Sequence, residues 1–230
     1  MSRLNCLNGS IVLEYKVTDN IMPKTMGILG KKIGMTRIYS ELGMATPVTV
    51  VEAGPCRILQ VKSPVKDGYS AIQVGFAEKK ASRVTKPLLG HFNKSGAEAY
   101  SYIKEFRVEN VEQYEAGQAI SLEALFKVGD LVDIQGTSKG HGFQGVVKRY
   151  GFKGGCAGHG SHHHRAPGSI GCSAWPARVV KGKKMPGRMG NDTVMTKNVI
   201  IIDVRAEENI LLLKGPVPGA KQSLLKIFSK

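Results

Sequence analysis

Short hydrophobic runs, each broken by glycine or proline, dominate the chain from residue 27 onward. Valine, isoleucine and threonine fill these runs, and they are side chains typical of β-strands. Gly54 and Pro55 separate the second run from the third and indicate a turn. The pattern therefore predicts successive strands with the sequences GILGKKIGMTRIY, TPVTVVEA, CRILQVKS and YSAIQVGF.

A different pattern follows in TKPLLGHFNKSGAEAYSYIKEFRVEN, which predicts a short helix after Pro87 and then a strand over YIKEFRVE. SLEALF, at residues 121–126, predicts one helical turn with Ser121 as its N-cap. KVGDLVDIQG returns to a strand, and VMTKNVIIIDVRAEENILLLKGPVPG predicts a hairpin of two long strands joined by a polar turn at residues 207–209.

The order of these elements predicts a mainly β protein, because strands lie before and after a long irregular stretch and helices do not alternate with them. We expect a β-barrel body formed by residues 26–135 and 191–220, with an inserted α+β element at about residues 80–125. Residues 136–190 are the excursion from this barrel, and residues 221–230 are expected to be a C-terminal tail.

The N-terminal residues 1–25 carry a weak pattern, and we interpret them as a loosely held extension or as a start assigned upstream of Met26. Their opening lacks the basic and apolar regions of a secretion signal, and the chain has no apolar run long enough to predict a membrane span. The four cysteines contain no CxxC pair, which is typical of reduced thiols.

Charge is distributed very unevenly along the chain. The net charge is +15, yet residues 136–190 hold ten Lys/Arg and no Asp or Glu, so the rest of the chain carries only +5. The same stretch holds fourteen of the 28 glycines and five of the six histidines. Such a segment predicts a polyanionic partner, and nucleic acid is favoured over an acidic membrane surface. Shorter charge runs, such as EKK at 78–80, are interpreted as solvated faces.

Two motifs in this stretch suggest other chemistry. Gly140–Gly145 reads GHGFQG, a literal GxGxxG, but no acidic residue follows before Asp192 to hold a ribose, which disfavours a dinucleotide site. Cys156 and His159 have ligand-like spacing, with further histidines and Cys172 downstream, yet a second clear pair for zinc is missing and no nearby carboxylate orients an imidazole. An enzyme that uses one of these two motifs is the rival interpretation, which both observations disfavour.

The basic strip VVKGKKMPGRMG, which follows Arg178, favours RNA. A free loop this basic would repel itself, and a polyanion removes the repulsion while releasing counterions. No recognition helix or zinc finger is evident, and a glycine-rich arm suits the irregular grooves of folded RNA. A free RNA chaperone is the second rival.

Five blocks of sequence closely resemble bacterial large-subunit ribosomal protein three, in the expected order over about residues 26–220: MGILGKKIGMTRIY, GTSKGHGFQGVVKRYGFKGG, HRAPGSIG, VVKGKKMPGRMGN and VIIIDVRAEENILLLKGPVPGA. The resemblance implies a six-stranded translation-protein-type β-barrel with a long loop that penetrates large-subunit rRNA toward the peptidyl transferase centre. It also implies a cytoplasmic, non-enzymatic ribosome constituent that helps to nucleate assembly beside ribosomal proteins fourteen and nineteen. No cofactor, metal, membrane or small-molecule substrate is implied.

Most of the predicted rRNA-binding residues are carried over by position from this family, and they fall into three groups. The first lies where the arm leaves the barrel, the second at or near its tip, and the third on the return path. In chain order they are Lys139, His141, Gln144, Lys148, Arg149, Lys153, His164, Arg165, Gly168, Ser169, Ile170, Gly171, Cys172, Trp175, Arg178, Lys181, Lys183, Lys184 and Arg188.

Two of these residues depart from the family pattern. Many bacterial members carry a side-chain-methylated glutamine after GSIG, whereas this chain has Cys172, which cannot take that modification. Trp175 replaces a smaller residue, and its indole is expected either to stack on a base or to pack on the arm itself.

Overall fold

The computed structural model describes residues 26–40 and 43–230, so the interpretation of residues 1–25 lies outside the described residues. The strands are β1 Gly27–Tyr39, β2 Ala45–Ala53, β3 Cys56–Lys62, β4 Ala71–Glu78, β5 Tyr100–Arg107, β6 Ala119–Ile120, β7 Leu131–Thr137, β8 Gly142–Gln144, β9 Gly187–Met189, β10 Thr193–Arg205, β11 Ile210–Lys214 and β12 Leu224–Ser229. The helices are α1 Pro64–Asp67, α2 Lys86–Lys94, α3 Leu122–Leu125 and α4 Val146–Tyr150, with a 3₁₀ turn at Ala81–Arg83.

Six strands close into an antiparallel barrel in the order β1-β12-β7-β10-β11-β2. Alternating apolar side chains of these strands fill the interior, and Ile28, Val51, Ile134, Leu211 and Leu225 are fully buried there. The predicted mainly β class with a six-stranded barrel is therefore confirmed. The predicted hairpin is also present, since β10 and β11 pair across a turn that ends at Asn209.

The C-terminal residues differ from the prediction of a tail, because residues 224–229 form β12, the strand between β1 and β7. Leu225, Ile227 and Phe228 are buried, so this strand supplies part of the core. The prediction is wrong here because a six-residue run at a chain end is a strand only when distant segments pair with it. Its partners, β1 and β7, lie far away in sequence.

The inserted element begins earlier than predicted, at Cys56 rather than near residue 80, because β3 and β4 belong to a second sheet of order β5-β4-β3-β6. One face of this sheet packs on the barrel: the rings of Phe106 and Phe228 lie 5.3 Å apart, and Lys226 Nζ donates a hydrogen bond to the Glu105 carbonyl at 3.0 Å. The other face is covered by α2, whose Phe92 packs with Leu59 and Tyr100. Barrel, sheet and helix are thus stacked in that order.

The predicted helix after Pro87 is present as α2, which begins at Lys86 and so includes Pro87 in its first turn. Ser121 does occupy the N-cap position of α3, but its side chain makes no capping hydrogen bond. Among the described residues, no helix combines the length and the apolar character that crossing a bilayer requires.

The antiparallel order of the barrel places its connections at two distinct ends. At one end lie the β1–β2 hairpin, the β11–β12 loop and residues 138–192, which link β7 to β10. At the other end lie the β10–β11 turn and both links to the second sheet, which departs after β2 and returns before β7. The basic stretch and the second sheet therefore leave the barrel at opposite ends.

Candidate RNA interface

The basic extension, residues 136–190, leaves the barrel as a two-stranded ribbon. In this ribbon β8 pairs antiparallel with β9, from Gly142 opposite Met189 to Gln144 opposite Gly187. Gly190 has φ +73°, and a Cβ there would lie 2.0 Å from the Lys139 carbonyl oxygen, so only glycine allows the two backbones to approach this closely. The ribbon gives the extension an ordered base.

The short helix α4 locks the two sides of this base together. Arg149 Nη1 donates a hydrogen bond to the Met185 carbonyl at 2.8 Å on the return path. The cations of Arg149 and Lys184 both lie over the Tyr150 ring, at 5.0 and 5.7 Å from its centroid. α4 ends at Tyr150, and the next residue, Gly151, stops the helix with its φ of +73°; the contacts of Arg149 and Tyr150 therefore lie just before the chain becomes irregular.

The GxGxxG motif lies in this base and has a structural use there. Gly142 begins β8, a strand of an antiparallel ribbon, with Gly140 and Gly145 on either side of this strand, and irregular chain follows α4. A dinucleotide-binding unit instead needs parallel strands joined by a helix. The geometry therefore agrees with the interpretation that these glycines serve close backbone approach.

Beyond α4, residues 151–186 contain neither helix nor strand, and none of their side chains is buried. A few backbone contacts shape this part: Gly155 N–H donates to the His164 carbonyl at 3.0 Å, and His164 Nδ1 lies 2.9 Å from the Cys156 carbonyl oxygen. His164 thus contacts the backbone of Cys156 and not its sulfur. Within the described residues, no three or more His, Cys, Asp and Glu side chains are grouped as a metal site requires.

Gly171 and Arg178 lie side by side, because a Cβ on Gly171 would be 3.6 Å from the Arg178 carbonyl oxygen. The chain between them, residues 172–177, therefore forms a loop. Trp175 is 86% exposed on this loop, so its indole does not pack on the extension. Of the two interpretations of Trp175, packing on the arm is thereby wrong for the isolated chain.

The cations of the extension are available to a ligand. Nine of its ten Lys and Arg side chains are exposed and Arg149 is half-buried. Within the described part of the chain, none of the ten is in an ion pair, since the pairs found there join Lys62 to Glu105 and Arg205 to Asp203 and Glu208. Positive charge is therefore presented without internal compensation.

A buried lysine adds to the positive potential at this end of the barrel. Lys32 Nζ donates hydrogen bonds to the carbonyls of Val217 and Gly219, at 2.9 and 3.3 Å. Burial lowers the pKa of Lys32, and the positive charge of Lys139 lowers it further. Lys139, at the root of the extension, thus lies close enough to Lys32 for the two charges to interact.

The predicted residues are not gathered into one pocket but spread along the extension. Lys139, His141 and Gln144 lie on the outgoing side of the base, with Arg188 on the returning side. Lys148 and Arg149 lie on α4, next to Lys184. The structure describes the others, from Lys153 to Lys183, as irregular chain.

Sequence reasoning missed one exposed aromatic ring in the base. Phe143, in the middle of β8, is 78% exposed although β-strand phenylalanines are usually buried. The sequence signal that could have identified this ring is an aromatic residue inside a glycine-rich motif without acidic residues. Together with Trp175, this ring gives the extension two flat apolar surfaces among its cations.

Comparison with known proteins gives a consistent set of relatives. The family model described as "Ribosomal protein L3" matches residues 103–209. The large ribosomal subunit protein uL3 of Desulfotalea psychrophila is 68% identical over 209 residues, which are 91% of this chain and 100% of that protein. The uL3 proteins of Desulforapulum autotrophicum and Carboxydothermus hydrogenoformans are 55% and 52% identical, covering 87% and 90% of this chain and 97% of each relative.

Proposed function

This chain belongs to the ribosomal protein L3 family, and from that membership we infer that it is a structural, non-enzymatic constituent of the large ribosomal subunit. As a member of this family it binds large-subunit rRNA and works among other ribosomal proteins. The resemblance further supports ribosomal proteins fourteen and nineteen as its neighbours, an early role in assembly, and an extension directed toward the peptidyl transferase centre.

The observation that carries the proposal is the uncompensated charge of the basic extension. Ten cations, none of which is in an ion pair within the described residues, lie on the ribbon base, on α4 and on the irregular arm, and nine of their side chains are exposed. Phosphates that contact these cations release condensed counterions, which supplies sequence-independent affinity. The barrel and the ribbon hold the root of the arm, so only residues 151–186 must order on the RNA.

Individual side chains take different roles in this proposal. Lys181, Lys183, Lys184 and Arg188 contact phosphates along the return path. Phe143 and Trp175 are flat and exposed, which supports stacking on unpaired bases, an interaction worth about 1–3 kcal/mol per base. Cys172 carries no amide and therefore no counterpart of the methylated glutamine of related proteins.

The test replaces Lys181, Lys183 and Lys184 together with alanine. We expect the variant to assemble into large subunits poorly while its melting temperature changes little, because these lysines are exposed and are in no ion pair with the acids of the described residues. A matched control replaces Lys66, Lys127 and Lys230, three exposed lysines on other parts of the chain. A large fall in melting temperature with normal assembly would show that the extension lysines support the fold instead.

Two further measurements separate the rival functions. Cofractionation with large subunits through a high-salt wash distinguishes a resident protein from a free RNA chaperone. Stoichiometric metal or nucleotide in tag-free protein would favour the enzyme. In addition, the slope of log affinity against log salt should be about −0.7 to −0.9 per neutralised phosphate, and a flat response would contradict the electrostatic account.

A further inference from the structure

A second set of cations lies on the outermost layer of the molecule, far along the chain from the extension. Residues 79–97 contain five Lys and Arg and no Asp or Glu. All five side chains are exposed, and we call them the outer basic surface: Lys79, Lys80, Arg83, Lys86 and Lys94.

This surface is held on a rigid support, unlike the irregular arm. The helix α2 is anchored by Phe92, which is 1% exposed and meets the Tyr100 ring edge-on at 6.2 Å. The partly buried Val84 and Leu89 pack against the same cluster. The 3₁₀ turn before α2 is closed by hydrogen bonds from Arg83 N–H to the Lys80 carbonyl and from Val84 N–H to the Ala81 carbonyl. The backbone positions of these five residues are therefore set by the fold before any ligand binds.

The charge of this surface is only weakly balanced. The nearest acids in sequence, Glu78 and Glu98, lie at its two ends and are themselves exposed. Within the described residues, none of the five cations is in an ion pair with any acid. A solvated face built for solubility alone normally interleaves both signs of charge, so a stretch of one sign indicates a polyanionic ligand.

The layering of the fold separates the two basic regions. The outer basic surface belongs to α2 and the turn before it, across the second sheet from the barrel. That sheet leaves the barrel at the end opposite the extension. One ligand segment lying along the extension would therefore not reach both regions unless it wrapped around the barrel.

We propose that the outer basic surface binds the phosphate backbone of a second rRNA segment, distinct from the one that the extension enters. This proposal rests on the proposed function, because it takes large-subunit rRNA as the ligand. Two contacts on one rigid body make the protein a bivalent bridge, in which the first contact raises the effective concentration of the second. No base recognition is assigned to this surface, since its exposed polar groups are chiefly point charges suited to phosphate.

The test compares two charge-matched variants of the full chain. One carries Lys79→Gln, Lys80→Gln and Lys86→Gln, which remove the charges but keep long polar side chains. Helix propensity is preserved at Lys86, which begins α2. The control carries Lys66→Gln, Lys127→Gln and Lys230→Gln, so both variants lose the same charge. Each is bound to protein-free large-subunit rRNA, and hydroxyl-radical footprints, affinity and its salt dependence are measured.

We expect the wild type and the control to protect two separate RNA segments, and the outer variant to lose one of them. Its affinity should fall by at least about tenfold, and its slope of log affinity against log salt should be shallower by about two. Substitution of Lys181, Lys183 and Lys184 should remove the other footprint instead.

Three outcomes would overturn the proposal. If the outer variant keeps both footprints with the affinity of the control, its lysines contact no RNA. If it binds RNA normally but is lost from assembled subunits, the surface binds a protein. If the wild type protects no RNA at all, the proposed function fails as well, and that result is distinguishable from the first two.

Discussion

The contact between the barrel and the second sheet gives the sharpest stability prediction, because two aromatic rings carry much of it. Phe228 on β12 is 2% exposed and Phe106 on β5 is fully buried, with their rings 5.3 Å apart at 71°. Phe106 also presses on the barrel backbone, since a Cβ on Gly27 would lie 2.6 Å from its ring. Both rings belong to one hydrophobic cluster that spans the two sheets.

The expected magnitudes follow from this burial. Phe228→Ala and Phe106→Ala should each lower the free energy of unfolding by about 3–5 kcal/mol, from lost burial and the cavity that remains. The edge-to-face pair should add a coupling of about 0.5–1.5 kcal/mol between the two substitutions. A domain stability of about 5–15 kcal/mol leaves each single variant measurable, although the double variant approaches that limit.

Urea unfolding of the wild type, both single variants and the double variant completes the cycle. Phe143→Ala is the matched control, because its ring is 78% exposed and its loss should change stability by less than about 0.5 kcal/mol. Strictly additive effects, or two separate unfolding transitions, would refute the conclusion that barrel and sheet share one core. The outer basic surface would then lose its fixed relation to the barrel.

Three further outcomes are expected. Maleimide at pH 8 should label Cys156 and Cys172 in the folded protein but not Cys56. The first two thiols are exposed, whereas burial raises the pKa of Cys56 to about 12. If peptide mass mapping showed that Cys56 is labelled at an equal rate, this packing would be contradicted. Glu105→Gln should lower the free energy of unfolding by about 1 kcal/mol at pH 7 and by little near pH 3. Burial by itself raises the pKa of Glu105, but hydrogen bonds from Lys62 and Tyr69 outweigh this effect, so the pKa of Glu105 is lowered. The stabilisation is therefore present above about pH 4.3, the pKa of Glu105 in the unfolded chain, and is lost as the pH falls through its pKa in the folded protein. If denaturant titrations showed a stability difference between wild type and variant that does not depend on pH, the ion pair would be ruled out as the source of that difference. Limited trypsin digestion of the free protein should cut first within residues 151–186, which lack helix and strand, and the same sites should be protected in large subunits; equal cleavage in both states would argue against ordering by RNA.

The two basic regions illustrate different ways of presenting charge to RNA. The extension carries its cations mostly on chain that makes few internal contacts, so it is able to follow an irregular groove, at the expense of ordering entropy. The outer basic surface carries fewer cations, but α2 and its buried Phe92 order them in advance. A protein with both kinds of contact combines a rigid anchor with an adaptable arm.

Much of the candidate site was readable from the sequence, because charge and composition are local properties. Ten cations without an acid in residues 136–190 predict a polyanion site in any fold, and short Val- and Ile-rich runs predict strands. Lys181, Lys183 and Lys184 are likewise predicted to bind RNA from the sequence alone, without tertiary information. For the EKK run at 78–80, the sequence predicts only a solvated face, because it does not show which other cations lie near these residues in space.

Pairing and layering, in contrast, were decided only by the tertiary structure. Residues 224–229 become a barrel strand because β1 and β7 leave a gap that only another strand can close, and no local pattern records that gap. For the same reason β3 and β4 were not distinguishable from barrel strands, since both sheets require the same alternation of apolar side chains. The sequence by itself determines most of the long strands and where positive charge accumulates. Which strands pair, and therefore which cations face the same side of the molecule, depends on contacts between residues distant in the chain.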